Sequence, residues 1–351
     1  MAQALGAVCK THAERKKGET MELNELRQRL KVFCAAHYAG PSEITEVVVM
    51  PGHAGFAYGF RVAHAGSTES WFIRLPPPGV KWVGTADVLR QVAVLNALDG
   101  TDVPHCSVAW SGDDPKWFGS PYFIVPWLEG DVMRIGPDDW GHQLSTDQRL
   151  EFGRQAMTAL AGLHRVDIAK VPYLGEPVPF AEDVTRWDRF VEKAAEPQRL
   201  ADVPKVRQRL LDTMPADAPV GIFHGDFQTA NLFASADAQL LALIDFELTG
   251  IGATLNDVGW ICTFSDRDAW DSESPRTMFL DPDTLIELYQ TAYGQAVADL
   301  NWYRALAAYK FAIISGLNLS LHRRGKRVDE TWETTALSMK PLIDRAQQLL
   351  G

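Results

Sequence analysis

Residues 221–247 read GIFHGDFQTANLFASADAQLLALIDFE, in which two short apolar segments enclose a polar turn. The pattern predicts strands at residues 232–234 and 240–244, joined as an antiparallel hairpin by the turn-forming residues 235–239. An antiparallel hairpin brings together the residues just outside its open end, and here these are Asn231 and Asp245. We therefore expect an amide oxygen and a carboxylate to converge in the folded chain.

An amide oxygen beside a carboxylate is a donor set suited to Mg²⁺, which completes its coordination shell with water and substrate phosphates. Asp226 precedes Asn231 by five residues and is a separate carboxylate that can accept a proton. A loop aspartate, an asparagine five residues later and a further aspartate have the spacing found in phosphotransferases. The alternative is that all three are ordinary turn or capping residues, since Asp and Asn are common where strands end.

The rest of the sequence predicts an α+β protein with two lobes. β patterns occur at residues 47–50, 60–63, 71–75 and 122–125, with helical spacing at residues 23–34 and 88–98, whereas the pattern after Gly130 is mostly helical. We expect a loosely ordered extension at residues 1–20, a small β-rich lobe at residues 21–128 and a larger, mostly helical lobe at residues 129–351.

Local signals predict particular helix ends and one loop. Ser145 and Gln148 have capping-box spacing, and Asp281-Pro282 predicts a helix start with Gly294 as its end. Residues 51–59 join the first two strands and are rich in small residues. This loop is longer than a tight hairpin needs. Such a loop can bring the backbone close to a ligand.

Composition narrows the class of protein. With 351 residues and 46% hydrophobic residues the chain can build cores, and its net charge of −11 disfavours nucleic-acid binding. No apolar run approaches the roughly 18 residues of a membrane helix, and no signal-peptide pattern is present, so we predict a cytoplasmic protein without a membrane partner. The four cysteines lie far apart, which argues against disulfides and zinc modules, and Cys9 with His12 is at most half a metal site.

The motif from His224-Gly225-Asp226 to Asn231, followed by Ile244-Asp245-Phe246-Glu247, resembles the aminoglycoside phosphotransferase and choline kinase superfamily. Its fold is similar to that of protein kinases, with a β-rich N-lobe and a helical C-lobe. Residues 72–79 (FIRLPPPG) and Trp187 resemble the branch that includes kinase-like domains fused to acyl-CoA dehydrogenases. The resemblance implies an ATP- and Mg²⁺-dependent phosphotransferase that acts on a hydroxyl of a small molecule.

The resemblance also implies roles for individual residues. Asp226 would be the catalytic base and Asn231 and Asp245 the magnesium ligands, while Asp257 would brace the catalytic loop. The remaining implied positions bind ATP in the N-lobe. The loop containing Gly52 and Gly55 would cover the phosphates, Phe72 would lie over the adenine, Arg74 would bind the phosphates, and Pro126, Trp127 and Leu128 would form the hinge along the adenine edge.

Two departures from the family pattern leave alternatives open. Gln91 stands where the family usually has a glutamate that pairs with the strand cation, and Gly252-Ala253-Thr254 replaces the common Gly-Asp-Pro. One alternative is a catalytically impaired, nucleotide-binding protein, and another is a nucleotidyltransferase on the same fold. The acceptor is open among aminoglycosides, choline-like compounds, hydroxyacyl compounds and aromatic alcohols, and the basic run at Arg323–Arg327 is either a solvated face or an anion site. The sequence does not specify the oligomeric state.

Overall fold

The computed structural model describes residues 23–50, 56–273 and 277–351. The predicted extension at residues 1–20, the Cys9–His12 pair, Gly52 and Gly55 lie outside the described residues. The chain divides into two compact units: the first runs to Gly130 and includes Ile244–Thr249, and the second contains Asp131–Leu243 and Gly250–Gly351. The first unit is rich in strands and the second is mostly helical, which confirms the predicted α+β class.

The first unit is built on an antiparallel sheet in the order β1-β2-β3-β5-β4. Its elements are α1 (Leu23–His37), β1 (Ser42–Val49), β2 (Phe56–His64), β3 (Ser67–Leu75), α2 (Val88–Leu98), β4 (Trp110–Gly112), α3 (Pro115–Phe118) and β5 (Tyr122–Pro126). Leu26, Leu30 and Phe33 of α1 are buried against the sheet, as their helical spacing predicts. Prolines follow β3 because a residue without an N–H cannot continue the ladder.

The predicted loop at residues 51–59 is shorter than expected, because β2 begins at Phe56. Gly59 lies inside the strand, opposite Val48 on β1 and Phe72 on β3. A Cβ atom at this position would lie 2.7 Å from the Trp127 ring. Gly59 therefore makes room for a packed indole rather than for a turn.

The second unit contains two small antiparallel sheets, β7 with β10 and β6-β8-β9, among nine described helices. The strands are β6 (Asp131–Val132), β7 (Val220–Phe223), β8 (Leu232–Ala234), β9 (Leu240–Leu243) and β10 (Gly250–Ala253). The helices are α4 (Thr146–His164), α5 (Phe180–Thr185), α6 (Asp188–Val191), α7 (Val203–Asp212), α8 (Leu255–Ser265), α9 (Pro282–Tyr293), α10 (Leu300–Arg323), α11 (Thr331–Thr335) and α12 (Met339–Leu350).

Capping residues set the helix ends that the sequence predicts. Ser145 and Gln148 form a complete capping box at the start of α4. Asp281 caps α9, and Gly294 ends it in the left-handed conformation. Among the described helices, none combines the length and apolar character needed to cross a bilayer.

Candidate active site

The candidate catalytic loop connects β7 to β8 in the second unit. β8 and β9 form the predicted hairpin, and Leu232 pairs with Leu243 at its open end. Asn231, which is buried, immediately precedes β8, whereas Asp245 follows β9 by two residues and belongs to the first unit. Each residue is therefore described within its own unit.

The Asp226 carboxylate is held by side-chain donors from three residues. Trp260 Nε1 donates to Oδ1 at 2.7 Å, and Asn231 Nδ2 donates to Oδ2 at 3.0 Å. Gln228 Nε2 lies 3.0 Å from both carboxylate oxygens. These donors fix the orientation of the carboxylate. Because Asp226 is only partly buried, it is still accessible from solvent.

Asp257 anchors the catalytic loop to α8. Its carboxylate is 1% exposed and accepts the backbone N–H groups of His224 at 2.6 Å and Gly225 at 2.8 Å. His164 Nε2 donates to the same carboxylate at 3.1 Å, and His164 Nδ1 lies 2.8 Å from Tyr289 Oη. His164 therefore belongs to a buried hydrogen-bond network with Asp257 and Tyr289, and it does more than pack against apolar side chains.

The charge on Asp257 is stabilised in place. Burial acts to raise the pKa of the carboxyl group, but the hydrogen bond and charge of His164 and the Gly225 amide outweigh burial and hold the pKa below its ordinary value. His224 is fully buried, and its Nδ1 accepts the Asp226 N–H at 3.3 Å, so it holds the loop together.

In the first unit, Arg74 pairs with carboxylates of the segment that follows the hairpin. Its Nη2 lies 3.1 Å from Glu247 Oε2 and 3.7 Å from Asp245 Oδ1. Gln91 is buried on α2, and its Nε2 has no hydrogen-bond partner within the described parts of the chain. The carboxylate that pairs with the strand cation therefore comes from Glu247.

Asp245 has two features that fit a metal ligand. Its backbone adopts a left-handed conformation, with φ 65° and ψ 56°, which a residue with a Cβ rarely adopts without a local reason. Its Oδ1 is buried and accepts no hydrogen bond from any described residue. The Arg74 guanidinium already forms an ion pair with this oxygen at 3.7 Å, so a metal ion would have to share the carboxylate with it.

The C-terminal end of β5, at residues 126–128, is where the adenine contacts were expected. Trp127 N–H donates to Ser70 O at 3.0 Å, so it is already used within the sheet. Pro126 has no N–H, and Leu128 N–H makes no hydrogen bond among the described residues. Phe72 pairs with Val125 across β3 and β5, one residue before Pro126.

Two other sequence expectations are clarified by contacts. Arg323 of the basic run pairs with Glu196 at 2.8 Å and with Glu333 at 2.7 Å, so its charge is already compensated. No group of three or more His, Cys, Asp or Glu side chains among the described residues is arranged to hold a metal ion. A magnesium site would therefore need the Asn231 amide or oxygens from a substrate.

Sequence reasoning missed three residues: Glu247, Trp260 and Lys310, whose Nζ lies 5.1 Å from the centroid of the Trp260 ring. Glu247 stands within the quoted IDFE motif, so its charge was visible, but its pairing with Arg74, 173 residues earlier, was not. Trp260 and Lys310 occur on helices that read as apolar, and a lone lysine in such a helix was the available signal.

Comparison with known families places this geometry in context. Residues 56–306 match the phosphotransferase enzyme family, APH. The chain belongs to that family. The match includes the catalytic loop, the hairpin and Arg74, so the family resemblance of the sequence is confirmed.

The family member matches part of a longer plant protein. It is 26% identical over 311 residues to "Probable acyl-CoA dehydrogenase IBR3" of Arabidopsis thaliana, an alignment that covers 80% of this chain and 37% of that protein. The chain thus spans little more than a third of that relative, and the likeness extends to that part alone.

Solved structures confirm the kinase-like fold of this family member. A Ralstonia eutropha protein assigned to the aminoglycoside phosphotransferases superposes with a TM-score of 0.74 at 20% identity, covering 92% of this chain and 97% of its own. A thermostable mutant of aminoglycoside phosphotransferase APH(4)-Ia, solved with ADP and hygromycin B, superposes with a TM-score of 0.60 at 11% identity, with coverages of 92% and 97%.

Proposed function

We propose that this chain is an ATP- and magnesium-dependent phosphotransferase that transfers the γ-phosphoryl group to a hydroxyl of a small molecule. The observation that carries the proposal is the Asp226 carboxylate, oriented by Gln228, Asn231 and Trp260 and still accessible, in a member of a phosphotransferase family. A carboxylate held in a fixed orientation is suited to accept a proton from an acceptor hydroxyl.

The reaction balances with Asp226 as the proton acceptor. The acceptor oxygen bonds to the γ-phosphorus, the bond from that phosphorus to the β–γ bridging oxygen breaks, and ADP leaves with the bond electrons. The hydroxyl proton goes to an oxygen of Asp226 and from there to solvent. Orientation of the hydroxyl contributes most to the transfer rate when the base is already fixed in place. Here three side-chain donors fix the Asp226 carboxylate.

The residues that we propose as magnesium ligands are Asp245 and Asn231. Asp245 Oδ1 is buried without a hydrogen-bond donor among the described residues. Asn231 uses its Nδ2 to hold Asp226, which leaves its amide oxygen as a ligand. When bound, the ion would neutralise charge on the ATP phosphates.

ATP binding is proposed for the first unit. Arg74 would bind the phosphates, oriented by Glu247, and Phe72 would cover the adenine. The unused Leu128 N–H supports the hinge assignment, with Pro126 O beside it and Trp127 as a packing residue. Gly52 and Gly55 remain the proposed phosphate cover. The complex of APH(4)-Ia with ADP supports an adenine nucleotide as the phosphoryl donor.

The alternative of a catalytically impaired, nucleotide-binding protein loses its main support. It rested on Gln91, a neutral residue that would leave Arg74 without an anionic partner. Glu247 and Asp245 supply that partner. We therefore favour a working phosphotransferase over a nucleotide sensor.

The test is phosphorylation of an acceptor panel, with products identified by mass. We expect Asp226→Asn to lower the transfer rate by about 10²- to 10⁴-fold, the usual contribution of a positioned base, while ATP binding persists. Asp237→Asn, at the exposed hairpin turn, is the matched control and should leave the rate unchanged. Equal rates in both variants, or an adduct with the mass of AMP, would contradict the proposal.

A further inference from the structure

A buried lysine lies next to the proposed catalytic base. Lys310 on α10 is 7% exposed, and its Nζ lies 5.1 Å from the ring centroid of Trp260 and 5.5 Å from that of Trp187. Trp260 is the same residue whose Nε1 donates to Asp226. The ammonium and the carboxylate are therefore separated by one indole side chain.

This ammonium makes no hydrogen bond or ion pair with any described residue. Burial, and then the charge of Arg186, lower its pKa to about 8, against the opposing effect of the carboxylates of Asp183, Asp257 and Asp226. The side chain is thus still mostly charged at neutral pH. Contacts with two indole faces stabilise a desolvated cation by about 2 kcal/mol, less than the several kcal/mol lost on burial.

The three nearby carboxylates are engaged elsewhere. Asp257 accepts two backbone N–H groups and His164. Asp183 accepts Asn256 Nδ2 at 2.8 Å and pairs with Arg186 at 2.9 Å. Asp226 accepts three side-chain donors. Lys310 therefore retains a costly buried charge that three carboxylates stabilise without a direct ion pair, and its Nζ–H donors are not used by any described residue.

We propose that Lys310 binds a carboxylate of the acceptor, and that this site selects alcohols that carry a carboxylate close to the reacting hydroxyl. The inference rests on the proposed function, because Asp226 defines where the hydroxyl lies. A carboxylate of the acceptor would accept the Nζ–H donors that the described residues leave unused. The faces of Trp187 and Trp260 would pack against the hydrocarbon part, and a cationic acceptor would be repelled by the ammonium.

The first experiment compares acceptors that differ only in this charge. Lactate, 3-hydroxybutyrate and mandelate are offered to the wild-type protein with Mg²⁺ and ATP, beside their primary amides. We expect kcat/KM for at least one acid to exceed that of its amide by tenfold or more. Equal use of acids and amides, or a preference for amino alcohols, would overturn the proposal.

The second experiment isolates the lysine. Lys310→Met keeps the length of the side chain and removes its charge, and Lys340→Met, at an exposed lysine, is the control. We expect the acid-to-amide ratio to fall at least tenfold only in Lys310→Met, whose melting temperature should rise because a buried charge is gone. An unchanged ratio, or a lower melting temperature with unchanged acid binding, would show that the lysine is structural.

Binding measured without turnover separates this proposal from the proposed function. Calorimetry with the same three acids on both proteins reports the Lys310 contact even if no acceptor is phosphorylated. Loss of binding in Lys310→Met supports the carboxylate site, whatever the effect of Asp226→Asn on transfer. Absence of Lys310-dependent binding for all three acids overturns it, although phosphotransfer to other alcohols would stand.

Discussion

At the scale of single residues, the pairing of Arg74 with Glu247 replaces the helix glutamate that Gln91 does not supply. Glu247→Gln keeps the shape of the side chain and removes the charge that orients the guanidinium. A charge-assisted hydrogen bond contributes about 1.5–3 kcal/mol, and part of it is retained by the amide, so we expect the KM for ATP to rise about tenfold.

Steady-state kinetics with ATP varied would measure this change. The control is Glu46→Gln, which breaks a half-exposed ion pair with Arg61 on the same sheet and should change KM less than twofold. An unchanged KM in Glu247→Gln would show that Arg74 does not depend on this partner.

Asp257 carries a residue-scale prediction about pH. Its pKa is lowered in the folded state, so its contribution to stability is present above the ordinary value of 3.8 and is lost as pH falls through the folded pKa. Asp257→Asn leaves buried donors poorly paired and should cost about 3–5 kcal/mol at pH 7. The stability difference from wild type should narrow below about pH 4, because Asp257 becomes protonated there in the unfolded chain, whereas the folded carboxylate takes up its proton only at lower pH.

Urea unfolding between pH 7 and pH 3 would test this prediction. Only the difference between wild type and variant is compared, so that the other carboxylates cancel. Asp237→Asn, on the exposed hairpin turn, should show no difference at any pH. A difference in unfolding free energy between wild type and Asp257→Asn that stays constant from pH 7 to pH 3 would refute the stabilising role of the Asp257 charge.

At the scale of elements, β2 depends on a glycine that accommodates an indole from the end of β5. Gly59→Ala would place a Cβ 2.7 Å from the Trp127 ring, which itself lies under the Arg61 guanidinium. Displacing the ring should cost about 1–3 kcal/mol and shift the tryptophan emission. Gly112→Ala on β4, where the nearest atom is 3.5 Å away, is the control. Similar thermal melts for the two variants would contradict this view of β2.

Elements with local signals could be predicted from the sequence. The helices at Val88–Leu98 and Pro282–Tyr293 have the expected bounds because caps and apolar spacing lie within the segment itself. β1 and β2 start earlier than expected, since Ser42 and Phe56 are placed by their pairing with His64 and Leu75. Strand bounds depend on a partner, and the partner is not visible in the strand's own pattern.

The candidate site likewise combines residues that the local sequence predicts with residues whose role depends on a partner elsewhere in the chain. Asp226, Asn231 and Asp257 could be predicted because motif spacing and family resemblance point to them. Lys310 and Trp260 could not, because their role depends on α10 and α8 packing beside the loop. In an apolar helix a lysine or a tryptophan reads as an ordinary residue until its neighbours are known.

At the scale of the whole molecule, the chain leaves the second unit at Leu243, contributes Ile244–Thr249 to the first and returns at Gly250. Within the first unit this segment provides Glu247 to Arg74 and the Thr249 carbonyl to Arg90 Nη1 at 3.0 Å. Amide exchange of the segment should therefore follow the stability of the first unit, although both of its sequence neighbours belong to the second.

Ile73→Ala in β3 and Ile313→Ala in α10 remove fully buried side chains from the first and second unit, each at a cost of about 2–5 kcal/mol. Hydrogen exchange read by mass spectrometry should show Ile244–Thr249 exchanging faster in Ile73→Ala and little changed in Ile313→Ala. The adjoining strand Leu240–Leu243 should behave in the opposite way. If the six residues instead followed Ile313→Ala, their contacts with Arg74 and Arg90 would be too weak to hold them in the first unit, and Glu247 could not orient the Arg74 guanidinium.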